Sequence, residues 1–185
     1  IPVFAVVFFL TVIPYNYFIA CIIFIAASCT DFIDGHIARK RNLVTNLGKF
    51  LDPIADKVLV STALILLLVK QEVLTVAWQG EWVTIACGVC VAVILARELI
   101  VSGFRMVAAS TGLVLAADKV GKVKTTFQDI SIAMLLAGAD FFGLAKVSEV
   151  FCAIGLVALA IATVLTIWSG ISYIVKNRAV FSESK

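Results

Sequence analysis

Charge is what this sequence has least of. Only 15% of its 185 residues are Asp, Glu, Lys or Arg, whereas 62% are hydrophobic and the mean hydropathy is +1.10. That balance lies far outside the range of soluble domains, because a chain of this length cannot bury so much apolar surface in a core of its own. Strict alternation of apolar and polar residues over segments of about ten is also missing, which argues against a transmembrane barrel. No basic tract interleaved with aromatics is present and the net charge is only +3, so nucleic acid is not an expected partner. The five cysteines are scattered through apolar stretches. Cys87-Gly88-Val89-Cys90 has the CxxC spacing but no second pair, so it reads as small packing residues in a membrane helix. Internal repeats, low-complexity tracts and linkers are lacking, which predicts one domain over residues 1–185.

What is there instead is a series of apolar segments of roughly the 20 residues needed to cross a bilayer as helix. Six spans are expected, at about Ile1–Ile13, Asn16–Ala38, Gly48–Val69, Trp82–Val107, Thr125–Phe142 and Val147–Val175. The first opens inside an apolar run, with no basic flank and no small-residue cleavage pattern. It reads as the second half of a longer helix rather than as a signal peptide. The predicted fold class is therefore all-α, a polytopic membrane helical bundle. Lysine and arginine set its orientation. Arg39, Lys40 and Arg41 follow the second span, Lys119, Lys122 and Lys124 precede the fifth, and Lys176, Arg178 and Lys185 close the chain. The opposite connections carry only Lys70 and Lys146 beside Glu72, Glu81 and Asp140. An even number of spans with both ends cytoplasmic fits that bias, and Trp78 and Trp82 fit interfacial anchors on the far side.

Four carboxylates stand out against this background, since a bare acid in or beside an apolar helix is costly. Asp31 and Asp34 are three apart and Asp52 and Asp56 four apart, so each pair shares one helix face. A turn at Arg39–Asn46 would fold the two helices into an antiparallel hairpin and bring all four acids together. Their repulsion would keep some protonated unless a cation sits between them. Oxygen-only ligation suits Mg²⁺ or Mn²⁺ rather than zinc. Gly35, Ala38 and Gly48 permit close helix packing, and beside four acids they also permit a ligand to approach the backbone. Arg39 offers a bidentate phosphate partner. His36 lies in a gap of the motif and is assigned a structural or surface role.

The run Asp31-x2-Asp34-Gly35-x2-Ala38-Arg39-x8-Gly48-x3-Asp52-x3-Asp56 places eight fixed positions over 26 residues. It resembles the complete signature of the CDP-alcohol phosphotransferase family. The stretches Leu51–Lys57, Ala96–Arg105 and Gly121–Thr126 resemble the branch of that family that transfers a phosphatidyl group from CDP-diacylglycerol to glycerol 3-phosphate. The resemblance covers nearly the whole chain and lacks the Asn/Thr/Arg-bearing start of the first helix. It implies two metal ions held by Asp31, Asp34 and Asp52, with Asp56 touching the second ion and serving as catalytic base. It further implies CDP contacts at Asp31, Asp34, Gly35, Arg39 and Thr45, with Ala38 and Gly48 leaving room for the nucleotide. A homodimer in the bacterial cytoplasmic (inner) membrane, active site toward the cytoplasm, is implied as well.

The acceptor's phosphate calls for cations near this site but outside it, and Arg105, Lys122, Lys124 and Arg97 are the candidates. Positive-inside bias by itself accounts for the lysines. Arg97 beside Glu98 within an apolar run fits a substrate role and a structural partnership between helices equally well. Two other readings stay open at this point. One keeps the chemistry with inositol phosphate, serine or phosphatidylglycerol as acceptor. The other is a cation transporter, which the clustering of the acids at one membrane face disfavours, since transport sites lie near the midplane.

Overall fold

A computed structural model describes residues 1–40, 46–110 and 119–176, with side chains described except at 31–40, 46–53, 56, 109–110 and 119. Every regular element among these residues is a helix: α1 (Pro2–Phe9), α2 (Asn16–Lys40), α3 (Asn46–Val69), α4 (Gln71–Leu74), α5 (Glu81–Ser110), α6 (Lys119–Ala139) and α7 (Ala145–Lys176). Two of them, over Glu81–Ala108 and Ala145–Lys176, are by length and composition alone able to cross a bilayer.

Apolar side chains fill the interior, where Phe4, Phe8, Phe24, Leu64, Ile94 and Leu136 are buried in one core, and they also cover the outside. Leu99, Val164, Trp168, Ile171 and Ile85 face outward from α5 and α7 and are among the most exposed residues. The buried face of α7 is rich in small residues, Gly155, Ala158, Ala162, Ser169 and Gly170 among them, set between Leu156, Leu159 and Tyr173. Lipid tails solvate apolar side chains as well as a protein core does. Helices in a membrane therefore associate through small residues that let backbones approach. The α6–α7 pair, the most extensive contact in the bundle, shows this directly. A Cβ on Gly138 would lie 2.8 Å from the Cys152 backbone nitrogen, and one on Gly155 would lie 3.0 Å from that of Leu135. The Ser131 hydroxyl donates to the Gly155 carbonyl at 2.8 Å across the same seam. Cys87 and Cys90 form no disulfide, in keeping with packing residues.

Three boundaries differ from those read off the sequence. The first helix stops at Phe9 rather than near Ile13. Pro14 disfavours helical geometry at the residue before it, and Tyr15 then takes the left-handed conformation with φ +58°. The connection after α3 contains one helical turn, α4, which buries Val73 and Leu74 completely. Four residues are too few to show a helical period in sequence. Finally, Lys119, Lys122 and Lys124 lie in the first turns of α6 rather than in a connection. At the other end of the bundle, Trp78 and Trp82 stack with ring centroids 6.5 Å apart and stay exposed, as interfacial anchors do.

Candidate active site

Asp31 and Asp34 lie one turn apart on α2, with Gly35, Ala38 and Arg39 in the turn beyond. Asp52 and Asp56 lie one turn apart on α3, and Gly48 lies one turn before Asp52. The side chains at these positions, and Thr45 altogether, lie outside the described residues. The backbone still sets their depth. At 1.5 Å per residue, Asp34 and Asp31 stand ~9 and ~14 Å from the α2 end at Lys40, while Asp52 and Asp56 stand ~9 and ~15 Å from the α3 start at Asn46. The two helices are in contact, and each carries its two acids at similar distances from the end next to the connection.

The described residues next to this level form a polar network inside the bundle, and Glu98 of α5 is its centre. The Lys124 ammonium, on α6, donates to Glu98 Oε1. Lys124 is only 2% exposed, so the ion pair is removed from water and its partner is indispensable to it. Arg97 brings its guanidinium within 3.8 Å of the same oxygen and donates to Ser169 Oγ of α7 at 3.0 Å. Gly170 makes room for it: a Cβ there would stand 3.0 Å from Arg97 Cγ. From the other side, Lys57 of α3 donates to Ser102 Oγ, whose hydroxyl donates to the Glu98 carbonyl at 2.6 Å. The lysine that follows Asp56 is thereby tied to the helix carrying Arg97 and Glu98.

Of the four cations singled out in the sequence, the structure brings Arg97 and Lys124 together at Glu98. Arg105 lies two turns further along α5, where its Nε donates to the Tyr173 hydroxyl at 3.1 Å and its guanidinium stands 5.3 Å from that ring's centre. Lys122 is exposed, and its carbonyl accepts the hydroxyls of Thr125 and Thr126. Sequence reasoning left Lys57, Ser102, Gln128, Asp129, Ser169 and Tyr173 without roles. Gln128 and Asp129 carried a usable signal, because adjacent polar residues within an apolar helix usually face a bundle interior. Ser102 carried one as well, as it lies one turn from Glu98. Ser169 and Tyr173 carried none, since each is a common residue in a membrane helix.

A cavity of about 80 Å³ opens among α3, α5 and α6, lined by Lys57, Ser61, Glu98, Thr125, Gln128 and Asp129. It adjoins the α3 turn that carries Asp56.

Comparison with known proteins agrees with this architecture. The profile of the CDP-alcohol phosphatidyltransferase family matches residues 1–168. A Bacillus subtilis (strain 168) protein named CDP-diacylglycerol–glycerol-3-phosphate 3-phosphatidyltransferase is 46% identical over 165 residues, covering 89% of this chain and 76% of its own. Proteins of the same name from Shigella flexneri serotype 5b and Escherichia coli K12 are each 38% identical over 181 residues, covering 97% of this chain and 88% of their own. The eight-position motif on two packed helices, the helical bundle and these matches over most of the chain agree: the protein belongs to the CDP-alcohol phosphatidyltransferase family.

Proposed function

We infer that this protein transfers the phosphatidyl group of CDP-diacylglycerol to glycerol 3-phosphate, forming phosphatidylglycerophosphate and releasing CMP. The observation that carries this reading is the pair of aspartates one turn apart on each of two contacting helices, in a chain whose relatives bear that activity in their names. The donor set fits a divalent metal. Four carboxylates offer only hard oxygen ligands, and their spacing of one turn gives each helix two of them on one face. Asp31, Asp34, Asp52 and Asp56 would hold Mg²⁺ or Mn²⁺, two ions in all. Such ions, when bound, neutralise the donor's pyrophosphate and the charge that grows on the departing CMP.

The chain's own groups account for the rest. Arg39 and Gly35 would receive the donor phosphates, with Ala38 and Gly48 leaving space for the nucleotide and Thr45 contributing from the connection. Asp56 would accept the proton of the acceptor hydroxyl as that oxygen attacks the β-phosphorus in line. Arg105 and Lys122 suit the acceptor's phosphate, being cations at the basic end of the bundle. Lys124 and Arg97 would act on it through the field they set up around Glu98. The basic helix ends support a site facing the cytoplasm in a bacterial inner membrane, and the protein is proposed to work as a homodimer.

The test uses purified protein in detergent with labelled CDP-diacylglycerol. CMP release should require both glycerol 3-phosphate and Mg²⁺ or Mn²⁺, stop with EDTA and return on adding back metal. Full activity in chelator would remove the metal from the mechanism, and turnover with another alcohol but not with glycerol 3-phosphate would change the acceptor.

A further inference from the structure

The cavity among α3, α5 and α6 holds a feature that the proposed chemistry leaves unexplained. Gln128 is 4% exposed, and its side-chain carbonyl oxygen is buried without a hydrogen-bond partner. Leaving a buried acceptor unsatisfied is costly, so it calls for a donor that the chain does not itself supply. The space is sufficient. The cavity measures about 80 Å³, whereas one buried water needs only ~10–15 Å³.

The chemistry of the unmet oxygen and the walls says which kind of donor fits. Glu98 is neutralised by Lys124 and approached by Arg97, and Lys57 faces the same space as Asp129. A phosphate dianion has no proton to give the Gln128 oxygen, so a neutral hydroxyl is the donor that fits. Ser61, Thr125 and Gln128 supply neutral hydrogen-bonding groups. Placement says whose hydroxyl it is. Lys57 and Ser61 come from the turns of α3 directly after Asp56, which puts the cavity next to the helical turn that carries the proposed base.

We propose that this cavity is a hydroxyl subsite for the acceptor, in which the Gln128 carbonyl accepts a hydrogen bond from the polyol hydroxyl that does not react. The proposal rests on glycerol 3-phosphate being the acceptor, and it makes Gln128 a specificity-determining residue. A vicinal diol phosphate satisfies the buried oxygen. A phosphate ester with only the reacting hydroxyl leaves it bare, and sites built to bond a hydroxyl discriminate against analogues that lack it.

The experiment compares kcat/KM for glycerol 3-phosphate and for 3-hydroxypropyl phosphate, which keeps the primary alcohol and the phosphate but lacks the middle hydroxyl. The wild-type protein should prefer glycerol 3-phosphate by roughly ten-fold or more, the worth of one good hydrogen bond to a buried group. Gln128→Met conserves volume and removes the acceptor oxygen. It should bring the ratio toward one by lowering the rate with glycerol 3-phosphate, while KM for CDP-diacylglycerol stays unchanged. Equal use of the two acceptors by wild-type protein overturns the subsite without any variant. An unchanged preference in Gln128→Met does the same and leaves water as the cavity's occupant. If wild-type protein uses neither compound yet releases CMP with a different alcohol, the acceptor assignment has failed and the subsite falls with it.

Discussion

Asp56 and Glu98 are both acids on helices of the bundle, yet different work is assigned to them. Glu98 is bound by Lys124 and approached by Arg97, so it acts as the counter-ion that lets two cations reside in the bundle. Replacing Glu98 with Gln should leave Lys124 buried and uncompensated, at a cost of about 3–5 kcal/mol. A thermal melt in detergent should show a large fall in midpoint for Glu98→Gln and recovery in Glu98→Gln/Lys124→Met. Equal midpoints for the two variants would mean the pair is not structural. Asp56, by contrast, is proposed to take a proton. Asp56→Asn should slow turnover by about 10²–10⁴-fold, the usual worth of general base catalysis, with donor binding near normal. Rapid-quench measurement of CMP release checks this, and near-normal turnover would remove Asp56 from that role. The four aspartates were legible because their spacing repeats the helical turn and their charge is out of place in an apolar run. The partners of Glu98 were only half legible: Arg97 adjoins it in sequence, whereas Lys124 is 26 residues away on another helix.

Helix by helix, the bundle joins a buried apolar core to seams where backbones approach closely. The α6–α7 seam has no room for side chains at Gly138 and Gly155, where a Cβ would come within 3.0 Å of the facing backbone. Backbone cannot move aside as a flexible side chain can. Gly155→Ala should therefore destabilise the protein by about 1–3 kcal/mol, as overpacking does. At Gly88 and Gly121 an added Cβ meets nothing within 4 Å, so Gly88→Ala should be close to neutral. Matched thermal melts of Gly155→Ala and Gly88→Ala check the contrast, and similar shifts in both would contradict it. Helix existence could be read from apolar run length. Helix ends could not always be, because α4 is too short to show a period and the three lysines of α6 look like a loop until the helix is seen to start at Lys119.

For the molecule as a whole, the asymmetry between its two ends governs how it sits in a membrane. Arg105, Lys122 and the end of α7 at Lys176 lie at one end, and the stacked Trp78 and Trp82 lie at the other. With the native cysteines replaced, a cysteine at Lys122 should react with a membrane-impermeant maleimide only from the cytoplasmic side, and one at Gln79 only from the opposite side. Both positions are exposed, so labelling is not limited by burial. Labelling of both from the same side would break the proposed topology. The sequence alone determined that the chain is helical and membrane-embedded, and that four acids recur at turn spacing with small residues and an arginine beside them. These are properties of a single helix and of its solvent, and a single helix's residues are neighbours in sequence. Only the tertiary structure decided that Lys57, Glu98, Lys124 and Ser169 form one network, or that Gln128 faces a cavity with its oxygen unmet. Those relations join four separate helices, and packing geometry between helices is not written in the period of any one of them.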